Sequence, residues 1–130
     1  QTLVATAKER GASRDPNFRQ RLADAYIGLE IMRLTGLRTV SQLLADRPLG
    51  PEASIGKLHW SRWHQRLGEL AMDLYGPAAL VEGRSDIDER RYDFLFARSH
   101  TIYAGSSEIQ RNIIGERVLG LPKEPVAGPG

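Results

Sequence analysis

Small and apolar residues at Phe18, Leu22, Ala25, Leu29, Met32, Gly36, Val40 and Leu43 recur at spacings of three and four with no proline among them. That spacing fits one face of a single helix about 45 Å long at ~1.5 Å per residue. It fits no strand, whose side chains alternate with a period of two. Asp15-Pro16 supplies an N-cap and a proline at the first helical position, so the helix is predicted over residues 16–45. A second stripe, Gly56, Trp60, Trp63, Leu67, Leu70 and Leu74, predicts another long helix over 51–75, opened by Pro51 and Glu52 and ended by Gly76-Pro77. If the stripes face each other, Leu29, Trp63, Leu67 and Ile113 are expected to be buried.

The remaining elements are shorter. Gln1 to about Arg10 reads as the end of a helix cut at its start, broken by Gly11-Ala12-Ser13. Glu82 to Asp88 is polar and predicted as a loop, and Arg90 to Arg98 as a short apolar helix. Ser107-Glu108-Ile109-Gln110 has capping-box form, with Ser107 as the N-cap, and it starts a last helix that Gly120 and Pro122 stop. The sum is an all-α fold, an antiparallel four-helix bundle over residues 1–122, followed by a flexible tail at 123–130.

With 130 residues the chain has room for one core, and a complete two-domain enzyme needs more chain. Hydrophobic residues at 41% and charged residues at 26% describe a globular protein. The absence of cysteine excludes disulfides, thiolate metal sites and a cysteine nucleophile. The net charge of +2 is interleaved along the chain with no basic stripe, which argues against nucleic acid. No apolar run is long enough to span a membrane. Gln1-Thr2-Leu3-Val4 has no export-signal pattern, so a cytoplasmic location is expected for what reads as a piece of a longer protein.

Pattern alone yields little chemistry. His59 and His64 lie five apart on one helix and point in different directions, and His100 is remote in sequence, so no metal site is expected. Trp60 and Trp63 read as core residues rather than a stacking platform. Ser106 and Ser107 near His100 lack a third triad member. One segment stands apart: Tyr103-Ala104-Gly105-Ser106-Ser107-Glu108 sets a glycine and two hydroxyls before a helix, a place that can receive phosphate but is more often a simple cap.

The run from Ile102-Tyr103-Ala104-Gly105-Ser106-Ser107-Glu108-Ile109-Gln110-Arg111 through Leu119-Gly120-Leu121-Pro122, with Ala97-Arg98 before it, resembles the C-terminal signature of the acyl-CoA dehydrogenases. Leu22-Ala23-Asp24 also falls where the second helix of that family's C-terminal domain carries a similar triplet. The resemblance implies an FAD-dependent enzyme that oxidises an acyl-CoA thioester to the 2,3-enoyl-CoA. In that chemistry a buried glutamate takes the α-proton and the flavin takes the β-hydride. It implies that Gly105 lies beside the acyl-CoA thioester and that Ser106 and Glu108 contact FAD.

The match has gaps. Ala104 occupies the usual base position, where a common version of the motif reads Tyr-Glu-Gly-Thr, so no catalytic residue is assigned here. The family's Gln-x-x-Gly-Gly-x-Gly run, which meets a neighbouring subunit's FAD, appears as Asp73-Leu74-Tyr75-Gly76-Pro77-Ala78-Ala79. The Arg-x-x-x-Phe-Gly near the first turn is reduced to Lys8-Glu9-Arg10-Gly11. Two explanations follow from the resemblance: the base lies on the preceding helix, upstream of Gln1, or on a partner chain in a heterotetramer, as in actinobacterial enzymes acting on steroid side-chain CoA esters. A homotetramer stays open, and so does a noncatalytic helical subunit kept for assembly.

Overall fold

The structure, a computed structural model, describes residues 2–51, 53–83 and 85–123. Five α-helices follow in order: α1 (Thr2–Glu9), α2 (Pro16–Leu44), α3 (Ala53–Tyr75), α4 (Ser85–Phe96) and α5 (Ser107–Ile113). Tight 3-10 turns at Ala12–Arg14, Gly76–Leu80 and Ala97–Thr101 join them, and a π-helical turn at Ile114–Val118 extends α5. No strand occurs among the described residues. The all-α expectation is met. The expected opening residue Glu52 and most of the tail from 124 onward lie outside the described residues.

Local chemistry explains the helix ends. Asp15 is extended and its carboxylate accepts from the Asn17 N–H at 2.9 Å, while Pro16 takes the first helical position. Gly76 ends α3 with φ +58°, a conformation that costs glycine little. Two sequence expectations need correction. Helix α4 begins at Ser85, not after Asp88. Its start reads as polar in sequence, yet Ile87 is fully buried there, and Asp88 turns back to accept from the Gly83 N–H. The N-cap of α5 is Ser106, one residue earlier than the capping box suggests. Ser106 is extended (φ −61°, ψ 166°), its carbonyl accepts the first helical bond from Gln110, and Ser107 is already helical and buried.

Helix α3 is the hub and touches α2, α4, α5 and two of the 3-10 turns. Its pairing with α2 runs through Arg21–Asp73, Ala25–Trp63 and Gly28–His59. The partner number falls as the α2 number rises, so the two helices are antiparallel. The same holds against α4 and the turn after it, through Gly68–Phe94 and Gln65–Thr101.

Helix contact is tightest where a glycine meets an aromatic ring. A Cβ built on Gly28 would lie 2.3 Å from Cδ1 of Trp63. The Trp63 indole N–H donates to the Ala25 carbonyl at 2.7 Å, so one ring fills the gap and satisfies its own donor. A second close approach places Gly68 against the Phe94 backbone, 3.0 Å from a built Cβ.

Two small apolar clusters make up the core. One joins Ala7, Phe18, Leu70 and Leu74, and the other Tyr75, Ala79 and Ile87. Both sit toward the C-terminal end of α3. Trp63, Leu67 and Ile113 are only half-buried. Leu29 is 46% exposed, against the expectation of burial. With Gly28 opposite His59, α2 runs nearly three turns past the start of α3, so the outer part of its stripe, beyond Leu29, is not covered by α3. Ile27, Ile31, Leu34, Leu37, Val40 and Leu43 are exposed as well. The accessible surface is 9306 Å². A compact monomer of 14.5 kDa exposes about 6,900 Å². The exposed Ile, Leu and Val side chains of α2 contribute apolar area to that surface, and an apolar face of this kind suits burial against something else.

The glycine–indole contact yields a paired prediction. Gly28→Ala forces the Trp63 ring to move and is expected to cost about 1–3 kcal/mol, despite alanine's better helix propensity. Gly36→Ala, in the same helix with nothing within 4 Å of its Cβ, is expected to stabilise by up to about 1 kcal/mol. Urea unfolding midpoints of the two variants separate these cases, and equal shifts of the same sign would refute the tight contact.

Candidate functional site

The residues singled out in the sequence lie together on the turn between α4 and α5. Ala104 and Gly105 both have positive φ, 54° and 90°. For alanine this left-handed conformation carries strain, and it is tolerated only where the surroundings hold it. At Gly105 a side chain has no room: a built Cβ would come 2.7 Å from Nε2 of Gln110. That amide, buried on α5, donates to the Ala104 carbonyl at 2.9 Å. The turn is thus closed on the helix it precedes.

Helix α3 holds the turn from the other side. The Lys57 ammonium donates to the His100 carbonyl at 2.7 Å and to the Gly105 carbonyl at 3.0 Å. The Gln65 amide donates to the Ala97 carbonyl and to the Thr101 hydroxyl, both at 3.1 Å. Sequence reasoning missed both residues. Each reads as an ordinary helix-surface residue, and its role appears only when α3 packs against residues 97–105.

The candidate ligand groups face outward from this frame. Ser106 is half-buried, and its oxygen caps the Ile109 N–H at a long 3.4 Å, leaving its O–H proton to donate elsewhere. The Glu108 side chain is 72% exposed and pairs loosely with Arg111 at 3.3 Å. Ala104 is exposed and presents a methyl, which cannot accept a proton. Asp73, in the degraded run before Gly76, pairs with Arg21 at 2.7 Å.

Behind the turn lies an aromatic cluster that no spacing pattern signalled. His64 and His100 are 36 residues apart, yet their Nδ1 atoms are 2.9 Å apart and their rings stack at 4.7 Å between centroids. One ring must donate and the other accept, so the bonded pair carries at most one positive charge. Trp60 packs on His100 at 4.4 Å, and Phe96 and Tyr103 meet it edge-on. His100 is 3% exposed. Burial pushes its pKa below the ordinary 6.5, His64 and then Lys57 add to the effect, and Asp93 opposes it. His59 instead faces α2, with Nε2 3.2 Å from the Gly28 carbonyl. Among the described residues no three metal-ligating side chains come together.

A concavity of about 660 Å³ lies elsewhere, between α2 and α3, and Arg21, Gly28, Ile31, His59, Arg62 and Trp63 are on its wall. No residue of the 97–107 turn lines it. It lies beside residues 21–31 of α2, short of the overhang, and apolar side chains share its wall with Arg21, Asp24, His59, Arg62, Arg66 and Glu69. No helix among the described residues is long and apolar enough to cross a membrane.

Against known proteins, residues 1–119 match the family model "Acyl-CoA dehydrogenase, C-terminal domain". The chain is 47% identical over 122 residues to acyl-CoA dehydrogenase IpdE1 of Mycolicibacterium smegmatis, covering 94% of this chain and 30% of that protein. It is 45% identical to acyl-CoA dehydrogenase IpdE1 of Mycobacterium tuberculosis, again over 94% of this chain and 31% of the relative. It therefore spans under a third of the length of these relatives. A solved structure described as the Tcur3481-Tcur3483 steroid ACAD superposes with a TM-score of 0.81 over 95% of this chain and 33% of that one, at 23% identity. At that identity the likeness speaks for the fold alone.

The buried histidine pair sets a pH response. The folded state resists protonating His100, whereas the unfolded chain takes up that proton near 6.5. This contribution is therefore fully present above about pH 6.5 and is lost as pH falls below it. His100→Gln is expected to flatten the loss of unfolding free energy between about pH 7.5 and about pH 5.5. An unchanged slope in that variant would remove His100 as the cause.

Proposed function

The chain belongs to the acyl-CoA dehydrogenase family, matching it over the C-terminal domain, and from that premise we propose that it is the helical C-terminal part of an FAD-dependent enzyme that oxidises an acyl-CoA thioester to the 2,3-enoyl-CoA. The observation that carries this reading is the 104–106 turn. Ala104 and Gly105 are held in a left-handed conformation from α3 and α5, and the Ser106 hydroxyl and the Glu108 carboxylate of α5 follow directly after them.

These groups fit the chemistry asked of them. Gly105 offers a backbone that a thioester can approach without meeting a side chain. The Ser106 O–H is a free donor, and the exposed Glu108 carboxylate is an acceptor. Ser106 and Glu108 are therefore assigned to the flavin and Gly105 to the acyl-CoA. Bound FAD supplies the hydride acceptor. The residues of this chain bind and orient; none of them on the turn takes the α-proton. Ala104 has no basic atom, and Glu108, four residues on inside α5, is committed to the cofactor. The base is a glutamate outside residues 1–130, in the rest of the protein or on a partner chain.

The relatives are acyl-CoA dehydrogenases by name, which supports an acyl-CoA substrate, and the structural relative, a steroid ACAD, agrees with steroid or lipid catabolism. The name of the structural relative couples two designations, Tcur3481 and Tcur3483, which favours assembly with an unlike subunit. The uncovered apolar face of α2 supports a tetramer, homomeric or heteromeric, in which that face is buried. A second reading, a noncatalytic subunit kept for assembly, draws on Ala104 and on Asp73, which is tied to Arg21 and carries the wrong charge for a phosphate environment.

Flavin content separates the two. The full-length protein, purified alone and with the product of its neighbouring gene, is expected to show a visible flavin absorption band that reduces on adding an acyl-CoA ester. The double variant Ser106→Ala, Glu108→Ala is expected to lose FAD on gel filtration, and unchanged retention would sink the assignment. Replacing the external glutamate with Gln is expected to lower turnover about 10²–10⁴-fold with flavin still bound. Wild-type turnover in that variant would show the base to be elsewhere.

A further inference from the structure

We propose that Lys57 is the positioning residue of the site turn: one ammonium on α3 holds the His100 and Gly105 carbonyls together and so fixes the orientation of the Gly105–Ser106 peptide. The inference rests on the reading of that turn as the place where thioester and flavin meet.

Three observations carry it. First, the ammonium reaches both ends of the segment, at 2.7 Å and 3.0 Å, from a position half-buried beneath it. The carbonyls belong to residues five apart, so the two bonds close a loop that no backbone hydrogen bond spans. Second, the segment needs a clamp. Ala104 and Gly105 are both at positive φ, and without a partner the turn would relax. Third, a trans peptide points its C=O and N–H in opposite directions. Holding the Gly105 carbonyl toward α3 therefore turns the Ser106 N–H away from α3. That N–H makes no hydrogen bond among the described residues. Ser106 itself then follows with its hydroxyl.

The chemistry of lysine suits the task. An ammonium has three donors on a flexible stem and can satisfy two carbonyls that are not coplanar. Its charge-assisted bonds are stronger than those of a neutral amide. Gln65 does similar work at the start of the segment, but on Ala97 and Thr101, so it does not reach the turn itself. Methionine at 57 keeps the length of the stem and removes every donor, which isolates the clamp from the packing of the stem.

The test uses the full-length protein loaded with FAD. In Lys57→Met, amide exchange in the peptide covering residues 100–107 is expected to speed up about tenfold or more, with the α2 and α3 core peptides unchanged. The visible circular dichroism of the bound FAD is expected to change shape, and Lys57→Arg is expected to restore part of both signals. Unchanged exchange at 100–107 in Lys57→Met overturns the proposal. So does global unfolding of Lys57→Met with Lys57→Arg intact, which would make Lys57 a determinant of the fold instead. If the wild-type protein binds no FAD, the functional reading fails, while the exchange result still decides whether Lys57 holds the turn.

Discussion

The arrangement depends first on an indole ring lying across a glycine. Trp63 can approach α2 only because Gly28 has no side chain, and it stays because its N–H reaches the Ala25 carbonyl. That contact sets the distance and register between the two longest helices. From that register follow the Arg21–Asp73 ion pair at one end and the overhang of α2 at the other. Since α3 also carries Trp60, His64, Gln65 and Lys57 to the opposite side, the placement of α3 against α2 is passed on to the turn that precedes α5.

The turn itself is secured by polar groups rather than by apolar burial. Its carbonyls at 97, 100, 104 and 105 are taken by Gln65, Lys57 and Gln110. Most of its side chains are left to face outward, with His100 packed behind. This division suits a binding loop: the backbone is rigid because its acceptors are satisfied from behind, and the exposed atoms remain available. The His64–His100 pair adds a charge limit beneath the loop, because two protonated rings cannot keep a 2.9 Å contact.

The apolar side chains exposed along α2 have no cover among the described residues. The core clusters are small and lie at one end of α3, while α2 shows half-exposed Ile, Leu and Val along its outer turns. A helix with apolar residues on more than one face belongs between partners. This agrees with a chain that spans under a third of its relatives.

Helix number, order and most boundaries were legible in the residues, because a period of 3.6, an Asp-Pro start and Gly-Pro stops are local properties. The family was legible for a similar reason: the run from Ile102 to Pro122 is contiguous, so its motif survives without a fold. What failed were local signs with a tertiary override. Ser107 looked like the cap, but the backbone becomes helical at Ser107 itself and the role falls to Ser106. The polar stretch at 82–88 concealed a helix start at which Ile87 is buried. Leu29 fitted a buried stripe, yet periodicity says only which face is apolar, not whether anything covers it. The His64–His100 pair and the Lys57 clamp join residues 36 and up to 48 positions apart. No spacing rule reaches across such a separation. The sequence by itself determined the helices and the chemistry offered by the turn; only the packing of α3 decided which side chains hold that turn in place, because hydrogen-bond partners are chosen by distance in space.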